Sequence, residues 1–160
     1  MGSDLVNRCA KTLHEKGLNI AFIESATSGR MCSEFALTEF SGEILRGGLV
    51  CYSVFIKEQF LNVPQHLIEE YTPESAEVTK ELANSGKRLF NSDVIVAVTG
   101  LTRTGGSETP LKPVGTMFIH IIIKNFHIEH REVFTGTSLE IMLKTVYRTA
   151  EIINSYLHKN

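Results

Sequence analysis

The chain lacks a charge imbalance: 16 lysines and arginines stand against 18 aspartates and glutamates in 160 residues, a formal charge of −2. A basic surface that would hold nucleic acid by its phosphates is therefore not expected. It lacks an apolar run long enough to span a bilayer, since Met117 to Ile123 is too short and is interrupted by His120, so no membrane association is expected. The opening Met1-Gly2-Ser3-Asp4 is polar and acidic, and no signal peptide is expected. Cysteine is scarce. Cys9, Cys32 and Cys51 are odd in number, lack metal-ligand spacing and fall in apolar patterns, which reads as reduced core thiols of a cytoplasmic protein without a metal site. No repeat, low-complexity tract or linker breaks the chain, and no Gly-x-Gly-x-x-Gly follows the first apolar strand, which removes a generic dinucleotide fingerprint. With 42% hydrophobic and 21% charged residues, positions 1–160 read as one globular domain with a real core.

What the chain does carry is concentrated in Ile20-Ala21-Phe22-Ile23-Glu24-Ser25-Ala26-Thr27-Ser28-Gly29-Arg30. An apolar run of strand type breaks into hydroxyls and a glycine, and a helical pattern through Met31, Cys32, Phe35 and Ala36 follows at once. A strand turning directly into a helix leaves the N–H groups of the first helical turn without partners, and their partial positive charge favours an anion or a developing oxyanion. Ser25 stands just before that point, where an α/β fold places a nucleophile or a phosphate grip. The same hydroxyls also read as an N-cap, the commoner use of Ser and Thr at a helix start.

Leu5, Val6, Cys9 and Leu13 recur at helical spacing, with Gly17 just past the helix end. Strands are predicted over 20–24, 47–52 and 94–98, the last wholly apolar. Short pieces around 57–61 and 64–70 precede a helix opened by Thr72-Pro73-Glu74-Ser75, with Pro73 in its first turn and Val78, Leu82 and Leu89 on one face. Residues 116–123 and 127–134 form a hairpin around Lys124-Asn125. A last helix, 138–157, puts Leu139, Met142, Leu143, Val146, Ala150, Ile153 and Leu157 on one stripe behind a Thr137/Glu140 capping box. The loop from Thr99 to Pro113, at roughly fifteen residues, exceeds most connections and so points to function. The pattern predicts an α/β fold: a single-domain sandwich with a mixed sheet flanked by helices.

Strand ends in such a sheet gather on one edge, where ligands bind. Three of them carry Glu24-Ser25-Ala26-Thr27, Tyr52-Ser53 and Thr99-Gly100, with Lys57 one turn past Tyr52. A serine needs a base to take its proton. His14, His66 and His158 lie on helices or near the termini, and His120, His127 and His130 read as exposed-face residues of the hairpin. A lysine partly desolvated beside a helix N-terminus can serve instead, and Lys57 is the candidate. An ordinary solvated lysine is the competing reading.

These segments resemble the C-terminal domain of the competence/damage-inducible protein CinA and its stand-alone forms, the nicotinamide mononucleotide amidohydrolases. A Glu-Ser-Cys-Thr-Gly-Gly turn of that family is met here by Glu24-Ser25-Ala26-Thr27-Ser28-Gly29. A Gly-Gly-…-Tyr-Ser-Asn-x-x-Lys segment is met by Gly47-Gly48 through Tyr52-Ser53-Val54 to Lys57. A Val-Thr-Gly-…-Gly-Gly-…-Lys-Pro-Val-Gly-Thr loop is met by Val98-Thr99-Gly100 through Gly105-Gly106 to Lys112-Pro113-Val114-Gly115-Thr116. The resemblance runs from about Leu5 to Leu157. It implies hydrolysis of the carboxamide of nicotinamide mononucleotide (NMN) to nicotinic acid mononucleotide and ammonia, without metal or cofactor. Carried over by position, Ser25 attacks, Lys57 acts as base and then acid, and Tyr52 orients or polarises them. Thr27, Thr99, Gly100 and the Gly105-Gly106 turn hold phosphate, ribose or oxyanion, and Glu24, Ser28, Gly29 and Gly48 count as substrate-binding positions beside them. The expected partners are an NMN-like nucleotide and further copies of the chain, as a dimer or larger homo-oligomer.

Four departures stand against that pattern. Ser28 replaces a glycine, Val54 an asparagine, and Thr102-Arg103-Thr104 the start of an Ala-Gly-Pro-Gly-Gly core. Ser138 stands where the family's late Phe-x-Gly-Asp-Arg segment has its arginine, a cation that Arg103 would supply from the other loop. They leave open a catalytically impaired paralogue acting as a nucleotide-binding or oligomerising module.

Overall fold

Two runs that are apolar at nearly every position lie at the centre of the sheet. The computed structural model, which describes residues 2–160, places β1 (Ile20–Glu24) between β2 (Leu45–Val50) and β3 (Val94–Gly100), parallel to both. Strands β4 (Thr116–Ile123) and β5 (Phe126–Val133) continue antiparallel, giving the order β2-β1-β3-β4-β5. Every residue of β1 is buried because helices cover both faces of the sheet. Ile20 and Phe22 of β1, with Val94, Val96 and Val98 of β3, pack against α1 (Gly2–Glu15), α2 (Arg30–Ala36) and α7 (Ser138–Lys159). Ala21 and Ile23, with Ile95 and Ala97, face the other way onto α6 (Ala76–Phe90) and the segment that leads to it. Three short helices complete the chain: α3 (Ser41–Ile44), α4 (Val54–Gln59) and α5 (Gln65–Tyr71). The result is an α/β sandwich with a mixed sheet, as the pattern predicts. Among the described residues no helix is long and apolar enough to cross a membrane.

Several local expectations change. The second strand runs 45–50 rather than 47–52, because it pairs along β1 from Ile20↔Leu45 to Glu24↔Val50 and the chain then turns away. Helix α6 begins at Ala76 with Ser75 as its N-cap, the side chain accepting from the Val78 N–H, so Pro73 lies before the helix and not in its first turn. Leu89 and Leu139 are more than half exposed; Gly86 and Ile141 sit on the buried faces instead. Gly86 brings α6 close to the sheet, since a Cβ there would fall 2.6 Å from Ile23 Cγ1. Cys9 and Cys51 are buried, Cys32 only half so, and all are free thiols. His120 is not an exposed-face residue: at 2% exposure it bonds through Nε2 to His127 Nδ1 at 2.9 Å, and burial drops its pKa to about 4. The period of β4 hides this, because both its faces are covered.

The long loop is 101–115, and it is tied down along its length. Its ends meet where the Leu101 N–H donates to the Thr116 carbonyl and the Gly115 N–H to the Leu101 carbonyl. Gly115 has φ +97°, and a Cβ there would lie 1.8 Å from the Phe134 oxygen, so no side chain fits. Lys112 Nζ donates to Thr72 Oγ1, the Glu74 carbonyl and Ser107 Oγ at 2.6, 3.0 and 2.8 Å, and the Ser138 hydroxyl donates to the Thr102 carbonyl at 2.9 Å.

Candidate active site

Parallel pairing brings the C-terminal ends of β1, β2 and β3 to one edge of the sheet, and the segments that follow them meet there. Glu24 ends β1 at 1% exposure. Its carboxylate accepts the N–H groups of Gly29, Met31 and Cys32 at 3.0, 3.0 and 2.8 Å. The anion at the start of α2 is therefore the chain's own side chain. This corrects one expectation, since the first-turn amides of α2 are not open to a ligand, and it gives the Glu24 carboxylate a structural partner in helix α2. What Glu24 does is fix the turn 25–28, whose ends are held by the Ser25 N–H on the Val98 carbonyl and the Ser28 N–H on the Ser25 carbonyl.

Beneath Ser25 lies Lys57, on α4. Ser53 caps that helix by accepting the Ile56 N–H at 3.3 Å, and one turn on Lys57 is 1% exposed. Its Nζ stands 2.9 Å from Ser25 Oγ, 2.8 Å from the Cys51 carbonyl and 3.2 Å from the Tyr52 carbonyl. As an ammonium it donates to all three. As a neutral amine it donates to the two carbonyls, and its lone pair is left for the Ser25 hydroxyl. Burial holds the Lys57 pKa below its ordinary value, against an opposing pull from Cys51 and Glu74. The Cys51 thiol is itself raised to about 11 by burial, so at neutral pH Glu74 is the opposing charge.

Ser25 opens into a cavity of about 290 Å³ shared with Ala26, Tyr52, Glu74, Gly100 to Thr102, and Arg103 to Gly106. Of the expected site residues, Ser25, Tyr52, Gly100, Arg103, Gly105 and Gly106 thus meet in one place, with Lys57 below. Others do not join them. Thr99 is fully buried, bonds Thr79 Oγ1 of α6 at 2.8 Å and does not line the cavity. Gly48 brings β2 close to its neighbours, since a Cβ there would lie 3.1 Å from the Phe22 carbonyl and 3.5 Å from Cys32 Cβ. Ser28 and Gly29 take left-handed φ of 48° and 93° in the turn and do not line the cavity. Thr27 is buried, and its hydroxyl has no partner among the described residues.

The Gly105-Gly106 amides are also spoken for. They donate at 2.7 and 2.8 Å to the two carboxylate oxygens of Glu108, which is not among the cavity-lining residues. In this structure these amides are therefore not free donors for a phosphate or oxyanion. Sequence reasoning missed Glu108 in this role and Glu74 in the cavity wall. The Thr72–Ser75 run reads as a helix opening, and only the loop folded over it turns Glu74 into a site residue. Among the described residues no cluster of His, Cys, Asp or Glu could hold a metal. Larger hollows of about 470 and 590 Å³ beside the end of α7 bring no hydroxyl or thiol within hydrogen-bond range of a base.

The family model of the CinA C-terminal domain matches residues 2–157. The chain belongs to that family. Among its relatives, a CinA-like protein of Thermotoga maritima is 31% identical over 147 residues, 92% of this chain and 36% of the relative. One of Prochlorococcus marinus is 35% identical, over 91% of this chain and 34% of the relative. This CinA domain thus spans about a third of the length of these relatives. In fold it matches a competence or damage-inducible protein from Enterobacter asburiae, with a TM-score of 0.92, 23% identity and 98% of each chain covered. It also matches a CinA superfamily protein from Klebsiella pneumoniae, with a TM-score of 0.93, 20% identity, and 100% and 99% covered.

Proposed function

We propose that this CinA domain hydrolyses the carboxamide of NMN, releasing ammonia and leaving nicotinic acid mononucleotide. The observation that carries the reading is the buried Lys57 amine 2.9 Å from the Ser25 hydroxyl at the floor of a cavity. Ser25 Oγ attacks the carboxamide carbon as its proton passes to Lys57 Nζ. The C–N bond then breaks, Lys57 returns the proton to the departing ammonia, and an ester on Ser25 remains. Water attacks that ester, again giving its proton to Lys57, and Ser25 leaves with the proton restored. For the oxyanion, the backbone N–H groups of Ala26 and Thr27 have no hydrogen-bond partner among the described residues. Tyr52 is 54% exposed and lines the same cavity, where its phenol can orient the carboxamide. The test is ammonia release from NMN by the purified chain. Stoichiometric ammonia and nicotinic acid mononucleotide are expected, and none at millimolar NMN overturns the reading.

Arg103 makes no ion pair among the described residues and lines the cavity next to Thr102, whose carbonyl Ser138 holds. We assign it the phosphate. Arg103→Ala should weaken NMN binding by about tenfold or more, since a hydrogen bond to a charged group is worth roughly 1.5–3 kcal/mol. Nicotinamide riboside, which has no phosphate, should lose little; calorimetric titration of both ligands checks this, and equal losses would mean that Arg103 does not hold the phosphate. A nucleotide-binding module without turnover is the second reading. It is favoured by Ser138, which offers no charge where the resemblance places an arginine. NMN binding with no ammonia release would select it.

A further inference from the structure

The cavity above Ser25 is lined by two charged side chains, Glu74 and Arg103, of opposite sign. They are not paired with each other: the ion pairs found among the described residues involve neither. The Glu74 carboxylate is held by one oxygen. Oε2 accepts the Ser107 hydroxyl at 2.5 Å, and Ser107 Oγ accepts in turn from Lys112 Nζ at 2.8 Å. Lys112 also donates to the Glu74 carbonyl at 3.0 Å, so the residue is fixed through both its backbone and its side chain. Its other oxygen, Oε1, has no hydrogen-bond partner among the described residues. The Glu74 charge also acts on the Lys57 amine, against the effect of burial there.

A cavity whose walls carry a fixed anion and a cation that is not paired with it complements a ligand that itself carries one positive and one negative group. We infer that Glu74 makes this cavity selective for carboxamides carried on a cationic ring over those on a neutral ring. The inference rests on the reading that the cavity takes nicotinamide nucleotides. In NMN the ring nitrogen is quaternary and positive and the phosphate is negative. The reduced, dihydro form keeps the carboxamide, ribose and phosphate but loses the ring charge. The two ligands therefore differ in the one property that Glu74 would sense.

The experiment is calorimetric titration of the purified chain with NMN and with reduced NMN, with ammonia release followed in parallel. The wild type should bind the cationic form about fivefold or more tightly than the reduced one. Glu74→Gln keeps an acceptor for Ser107 but no charge, and should bring the ratio close to one. Glu74→Asp should keep part of the preference, and thermal midpoints near that of the wild type would show that the loop still stands. A wild-type ratio near one, equal losses for both ligands in Glu74→Gln, or binding of neither ligand overturns the inference. A charge preference without ammonia release overturns the hydrolase reading and leaves this one standing. Ammonia release at equal kcat/KM from both forms does the reverse.

Discussion

Replacing Ser25 with alanine is expected to cut ammonia release from NMN by about 10⁴-fold or more, in line with the loss of a nucleophile from comparable sites. The fold should survive. Ser25 contributes its backbone N–H to the Val98 carbonyl whatever its side chain, and Lys57 keeps the Cys51 and Tyr52 carbonyls as acceptors. A thermal midpoint close to that of the wild type, beside a lost ammonia signal, is the expected pair of results. Full turnover by Ser25→Ala would remove the covalent mechanism.

Lys57→Arg is expected to be equally silent, since arginine stays protonated at any working pH and cannot take the serine proton. A buried lysine has little room for the larger guanidinium, so Lys57→Met, close in volume, serves as the companion variant and should fold and be inactive. For the wild type the sign follows from burial. Because burial lowers the Lys57 pKa, the neutral, proton-accepting amine forms at a lower pH than for a free lysine near 10.4. Activity should therefore rise with pH along a limb whose midpoint lies below that value. An active Lys57→Arg enzyme, or a limb at the free-lysine position, would rule the lysine out as base.

The parts of the fold that were legible are those in which one residue type has one use. β1 up to Ile23 and β3 up to Val98 are apolar at every position because both faces are covered, and Thr137 with Glu140 forms the predicted capping box. Ser25 and Lys57 are legible as candidate nucleophile and base from their places at the strand ends, and the family resemblance joins them as a pair, although the spacing between them says nothing of a 2.9 Å contact. What failed was the assignment of free backbone amides. The start of α2 and a Gly-Gly turn both expose N–H groups in principle, yet Glu24 takes those of Gly29, Met31 and Cys32, and Glu108 those of Gly105 and Gly106. A glutamate in sequence carries no mark of whether it faces solvent or a helix end. His120 was misplaced for a related reason, since a strand covered on both faces has no exposed side for its polar residue.

The clamping of loop 101–115 bears on how a ligand is chosen. Fixing the backbone of one residue costs roughly 1–2 kcal/mol in conformational entropy, so a disordered loop of this length would charge a bound nucleotide heavily for its ordering. Here folding has already met that cost, through Lys112 on Thr72 and Glu74, Glu108 on Gly105 and Gly106, and Ser138 on Thr102. A preorganised wall leaves more of the contact energy as affinity. It also gives up the ability to mould itself around unlike molecules, so tolerance for ligands of other shapes should be narrow.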